Sequence, residues 1–207
     1  MTETGTVGFD LDMTLIDSRS AIMGSFAAVA RETGVPLDLE QADARLGIKL
    51  EDELAHWFPP EQIEATAVIY RRNYIKLAAE HTDRLPGAAE AIRAVREAGN
   101  RAVIITAKHE ISVEPSLRAT GLEADEVFTF VHGPEKAVVL RRIGAVAYVG
   151  DTPADMAAGT SAGTMAVGVP TGSFSREDLT RAGAGVVLTD LTEFPEWYRR
   201  WRTPRRS

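Results

Sequence analysis

From Leu85 onward the chain alternates between amphipathic stretches that stop at glycine and short continuous apolar runs, and few architectures accept that order. Ala88, Ile92 and Val95 mark one helix, closed by Gly99, and Ala102-Val103-Ile104-Ile105 then reads as a strand. The pattern recurs. A helix over 111–120 is closed by Gly121 and followed by a strand over 127–131. A helix over 136–143 is closed by Gly144 and followed by a strand over 146–149. A helix over 155–162 precedes a last strand over 164–169. Apolar runs without polar alternation are strands buried on both faces. Joined by helices, they predict right-handed βαβ units and an α/β fold, a Rossmann-like parallel sheet with helices on both faces.

The amino-terminal part has a different texture. Val7-Gly8-Phe9 is a short apolar run ending in Asp10-Leu11-Asp12, read as a further buried strand with acids at its carboxyl end. Ile22, Phe26 and Val29 then recur at helical spacing before Gly34. Leu50, Leu54 and Trp57 suggest a short helix. Pro59-Pro60 opens a longer one with Ile63, Ala67, Tyr70, Tyr74 and Leu77 on one face. No strand is expected between Ile16 and Leu85, so residues 18–85 read as an inserted all-helical domain. Residues 1–17 and 86–207 form the α/β core, with Asp17-Ser18 and Leu85-Pro86-Gly87 as the joints.

Composition narrows the function. The chain of 207 residues carries a net charge of −7 and no cysteine, which removes disulfides, thiolate catalysis and Cys-based metal sites. An acidic chain is a poor partner for nucleic acid or anionic membrane, and any phosphate site must be locally cationic. No apolar run approaches the ~20 residues of a membrane span. Met1 to Thr6 lacks the basic-then-apolar pattern of a secretory signal, so a cytoplasmic location is expected. The segment 197–207 interleaves Trp197 and Trp201 with Arg199, Arg200, Arg202, Arg205 and Arg206, and reads as a final amphipathic turn followed by a frayed basic end.

Open α/β sheets bind ligands beyond the carboxyl ends of their strands. The residues of interest that follow the predicted strands are Asp10, Asp12 and Thr14, then Thr106, Ala107 and Lys108, then Asp151 and Asp155, with Lys136 opening the helix before the last of these strands. Grouped carboxylates repel one another unless a cation sits among them. Oxygen donors without His or Cys select a hard ion, Mg2+ best. A metal bridging Asp10, Asp151 and a phosphate oxygen would allow carboxylate attack on phosphorus, with a second acid managing the proton. The chemistry that suits this set is phosphoryl transfer. His56, His81, His109 and His132 show no metal-ligand spacing.

Asp10-Leu11-Asp12-Met13-Thr14, Thr106, Lys136 and Gly150-Asp151-Thr152-Pro153-Ala154-Asp155 resemble, in order and spacing, the four motifs of the haloacid dehalogenase superfamily. The helical insertion resembles the type 1 cap of its phosphoglycolate phosphatase-like branch. The resemblance implies Asp10 as nucleophile and metal ligand, and Asp12 as acid/base whose backbone carbonyl also binds the metal. It implies Thr106 and Lys136 as phosphate holders, Asp151 as metal ligand and Asp155 as a supporting or water-mediated one. Gly47-Ile48-Lys49-Leu50-Glu51-Asp52 resembles the family's cap specificity loop, which puts Lys49 near the leaving group, with Arg45 and Arg19 as further candidates.

Two positions depart from the pattern. Met13 stands where many relatives have glycine, and Lys136 lacks the usual following proline. Lys108 is either a helper for phosphate or a solvated lysine at a helix amino terminus. The expected activity is that of a magnesium-dependent phosphatase acting on a small phosphorylated metabolite, as a monomer or homodimer. A phosphomutase with the same aspartyl phosphate, or a non-catalytic phosphate- and metal-binding module, are the alternatives.

Overall fold

The computed structural model describes residues 5–203. Six strands form one parallel sheet: β1 (Thr6–Phe9), β4 (Arg101–Ile105), β5 (Glu126–Phe128), β6 (Ala145–Gly150), β7 (Met165–Gly168) and β8 (Val186–Val187), in the order β5-β4-β1-β6-β7-β8. The strand with the acids, β1, lies at the centre, in register with β4 at Phe9↔Ile104 and with β6 at Phe9↔Val149. Alternate side chains leave a strand on opposite faces, and that separates two cores. Ala102 and Ile104 pack with α5 (Ala88–Glu97) and α10 (Phe194–Arg202), whereas Val103, Ile105 and Tyr148 pack with α7 (Pro134–Arg142) and α8 (Pro153–Ala162). The expected α/β sheet covered on both faces is therefore present. The remaining core helices are α6 (Glu110–Thr120) and α9 (Arg176–Arg181).

The inserted helices have a core of their own. They are α1 (Arg19–Thr33), α2 (Leu39–Ala44), α3 (Leu50–Leu54) and α4 (Pro60–His81). Ile22, Phe26 and Val29 of α1 meet Ala67, Tyr70, Tyr74 and Ala78 of α4, the spacing that keeps side chains on one helix face. Each large side chain buried there contributes roughly 1.5–3 kcal/mol.

Three expectations need correction. A small antiparallel ladder lies where no strand was expected: β2 (Ile16–Asp17) pairs with β3 (Asp83–Arg84), and Leu85 N–H donates to Leu15 O at 3.0 Å. Two-residue strands carry no hydrophobic period, which is why sequence patterning passes over them. The strand expected over 127–131 ends at Phe128, because Phe130 adopts φ 57° and turns the chain out of the ladder. The segment read as an amphipathic turn is a full helix, α10. Its Phe194 and Tyr198 are buried and its Trp197 and Trp201 stack at 5.4 Å against the core. Arg205 and Arg206 lie outside the described residues. Among the described residues no helix is long and apolar enough to cross a membrane.

Candidate active site

The central strand delivers Asp10 at its carboxyl end, where the Asp10 N–H still donates to Val149 O at 2.8 Å and holds the residue against β6. Asp151 follows β6 directly. Asp155 stands in the first turn of α8, in a reciprocal cap with Thr152. One carboxylate oxygen from each of Asp10, Asp151 and Asp155 lies within 4.8 Å of the others, and all three residues are buried. Lys136, on the first turn of α7, donates to Asp10 Oδ1 at 2.7 Å and to Asp155 Oδ1 at 2.7 Å. Thr14 Oγ1 donates to Asp151 Oδ1 at 3.0 Å.

Three acids and one ammonium leave a negative surplus away from water. Burial first, with Asp155 and Asp12 adding to it against the opposing pull of Lys136, raises the Asp10 pKa to about 7. Asp151 is pushed well above the usual carboxylate range by burial, then by Asp10 and Asp155. Burial alone would lower the Lys136 pKa, but Asp10 and Asp155 carry it upward, so its ammonium stays charged. A cluster of hard oxygen donors whose charges are mutually suppressed is suited to a divalent cation. The two oxygens of Asp155 already accept from Lys136, from the Tyr148 hydroxyl at 3.0 Å, and from Thr152 N and Oγ1 at 3.2 and 2.6 Å.

A cavity of about 100 Å³ opens beside this cluster, between the sheet edge and the inserted helices. Asp12, Met13, Ala107, Lys108 and Asp151 line it from the core, and Phe26, Arg45, Tyr70, Arg71 and Tyr74 from the helices. Asp12 accepts from Ser18 Oγ, and its Oδ1 lies 2.7 Å from Lys108 Nζ. The Lys108 ammonium, far from solvated, also donates to the Tyr74 hydroxyl at 2.8 Å. Burial opposes its charge, but Asp12 and Tyr74 raise its pKa. Met13, the departure from glycine, takes φ 60°, the left-handed conformation in which glycine is at ease. The neighbouring Gly172 has no room for a side chain, since a Cβ there would sit 2.0 Å from Asp151 Oδ2.

The structure thus brings Asp10, Lys136, Asp151 and Asp155 into one cluster and Asp12, Ala107 and Lys108 to the cavity wall. Thr106 is buried beyond β4, its Oγ1 accepting from Lys108 N–H at 3.1 Å. Lys49 is not among the residues that line the cavity, but its ammonium lies 4.8 Å from the centre of the Phe130 ring, which does line it. Arg45 lines the cavity but is held by Glu53 through two bonds at 2.7 and 2.8 Å. Arg19 pairs with Asp43 at 2.7 Å and reaches Ser173 Oγ at 3.4 Å, joining insertion and core. Sequence reasoning missed Ser18, Arg71, Tyr148 and Gly172 as site residues, and took Tyr74 only as part of an apolar face. Gly172 alone had a local signal, its place in the loop after a predicted strand.

Comparison with known proteins agrees with this geometry. The family model described as haloacid dehalogenase-like hydrolase matches residues 7–160. The "Probable phosphatase IndB" of Dickeya dadantii is 28% identical over 205 residues, covering 89% of each chain. The phosphoglycolate phosphatase of Chromobacterium violaceum is 28% identical over 210 residues, covering 90% of this chain and 93% of its own. A hydrolase structure from Pseudomonas syringae superposes with a TM-score of 0.81 at 22% identity, over 97% of this chain and 100% of that one, and shares the fold.

Proposed function

The chain belongs to the haloacid dehalogenase-like hydrolases, and from that membership we propose a magnesium-dependent phosphatase that hydrolyses a small phosphomonoester through an aspartyl phosphate on Asp10. The observation that carries this reading is the pairing of a buried, Lys136-oriented Asp10 with a second carboxylate, Asp12, in the cavity wall. Lys136 occupies Oδ1 of Asp10, which leaves Oδ2 to attack phosphorus. The phosphorus–oxygen bond to the alcohol breaks, and Asp12 gives its proton to the departing oxygen. A water then loses a proton to Asp12 and attacks the same phosphorus. Phosphate leaves and the Asp10 carboxylate is restored. Thr106 and Lys136 hold the phosphoryl oxygens through the step.

Asp10 and Asp151 would ligate the magnesium ion, together with the Asp12 backbone carbonyl. When bound, the ion supplies charge neutralisation and electrophilic activation of the phosphoryl group. With its oxygens already engaged, Asp155 fits better as the residue that orients Lys136, or as a ligand through water. Residues 18–85 act as the cap, and the short β2–β3 ladder beside Asp17-Ser18 and Leu85-Pro86-Gly87 is the hinge about which it closes to exclude water. The separate cores of cap and α/β unit support that division.

The test is phosphate release from a panel of phosphomonoesters with magnesium, phosphoglycolate among them. Asp10→Asn is expected to lower turnover by about a thousandfold or more while leaving the far-ultraviolet circular dichroism unchanged. Substantial turnover in that variant, or full turnover in excess EDTA, would overturn the mechanism.

A further inference from the structure

The charged side chains lining the cavity are paired with one another. Arg45 is bound by both oxygens of Glu53, Arg71 by Glu51, and Lys108 by Asp12. The remaining acid is Asp151, assigned above to the metal. Among the described residues that line the cavity, the cap side therefore offers no unpaired cation to a second anionic group on the substrate; Lys49, over the Phe130 ring, is not one of them. A carboxylate entering it would lose water, meet Glu51 and Glu53, and gain no free countercharge.

What the cap does offer is of a different kind. Arg71 Nε and Glu51 Oε2 are buried and have no hydrogen-bond partner, so two ion-paired side chains that line the cavity carry one spare donor and one spare acceptor. A group that both accepts and donates, a hydroxyl or an amide, satisfies the two together, and an ionised carboxylate satisfies only the first. Beside them lies an aromatic wall, with the Phe26 and Tyr70 rings 4.8 Å apart and Tyr74 stacked on Tyr70 at 6.2 Å. We propose that the leaving group is an uncharged alcohol, with a hydroxyl or amide for the Arg71–Glu51 pair and an apolar face for Phe26 and Tyr70. Esters carrying a second anion are poor substrates. This assignment rests on the phosphatase reading above and narrows it.

The experiment compares kcat/KM within two pairs of esters that differ by one anionic group: glycerol 3-phosphate against 3-phosphoglycerate, and ethyl phosphate against phosphoglycolate. The uncharged member of each pair is expected to be favoured by about tenfold or more. Glu51→Gln leaves Arg71 only the exposed Glu64, 3.7 Å away, and is expected to move the ratio about tenfold toward the carboxylate ester. Glu53→Gln makes the same test at Arg45 should the first variant fold poorly. Phosphate release with the carboxylate esters equal or preferred in the unmodified protein overturns this assignment alone. A ratio unmoved in a folded Glu51→Gln or Glu53→Gln variant overturns it as well. No release from any of the four esters overturns the phosphatase reading and this assignment with it.

Discussion

Lys108 Nζ lies 2.7 Å from Asp12 Oδ1 and 2.8 Å from the Tyr74 hydroxyl, so helix α4 of the insertion reaches the proposed acid/base through a single ammonium group. Tyr74 is itself anchored to the core, its hydroxyl 2.9 Å from Ser116 Oγ on α6. In the proposed mechanism, closure of the cap would therefore orient Asp12 in the same event, which is how a lid completes a catalytic arrangement.

Lys108→Met should lower kcat by about ten- to a hundredfold, the range in which a misplaced general acid falls. Tyr74→Phe keeps the ring but leaves Lys108 and Ser116 one partner short. Its expected cost is about 1 kcal/mol in stability with a smaller loss of kcat/KM. Steady-state kinetics with thermal melts separate the two effects, and an unchanged kcat in Lys108→Met would remove the lysine from the mechanism.

Magnesium should stabilise the protein without any substrate present. At a hundred times its dissociation constant the ion adds about 2.7 kcal/mol. For a chain of this size that corresponds to a rise in melting temperature of roughly 5–10 °C. Asp151→Asn should melt cooperatively but lose most of that rise. A full magnesium response in the variant would place the ion elsewhere.

Gly172→Ala should act at a distance from the reacting atoms. The new methyl would sit 2.0 Å from Asp151 Oδ2 and 3.3 Å from the Met13 Cβ, so Asp151 must move. A displacement on the order of 1 Å at a catalytic group costs about a hundredfold in rate. The readouts are kcat and the magnesium concentration for half-maximal activity; kcat within about twofold of the parent would contradict the packing.

Asp125 supplies a pH dependence of stability far from the site. Its Oδ2 accepts from Ala102 N–H at 2.7 Å, and Arg96 lies 3.0 Å from its Oδ1. Burial works against the charge, but the Ala102 N–H and then Arg96 hold the pKa below the ordinary value of 3.8. A depressed carboxylate stabilises the fold above its unfolded pKa, and that stability is lost as pH falls through the folded value. Asp125→Asn should therefore melt lower by roughly 2–4 °C at pH 7, solvent screening most of the Arg96 contribution. The gap should close below the usual aspartate range. A gap that persists there would mean a loss of packing rather than of charge.

Much of this protein is legible one segment at a time. The helix–glycine–strand alternation specifies the parallel sheet, because buried strands and amphipathic helices have different hydrophobic periods, and Gly34, Gly99, Gly121 and Gly144 all take the positive φ expected of helix stops. The acids and lysine are legible for the same reason: each is a polar residue at the edge of an apolar run, and a parallel sheet carries such edges to one side. Contacts between segments were not legible. Lys108 read equally well as solvated, and only the arrival of Asp12 and Tyr74 from two other elements makes it a buried ion-pair partner. Lys49 read as a ligand for the leaving group, and only the turn at Phe130, arriving from the core, shows the aromatic face its ammonium sits over. Arg71 carried no signal in the sequence, and only the approach of Glu51 from α3 makes it an ion-pair partner at the cavity wall. Hydrophobic period is a property of neighbours along the chain, so the sequence by itself determined the sheet, the inserted helices and the strand-end acids. Which cations stay free depends on charges brought together from distant segments, and only the tertiary structure decided that.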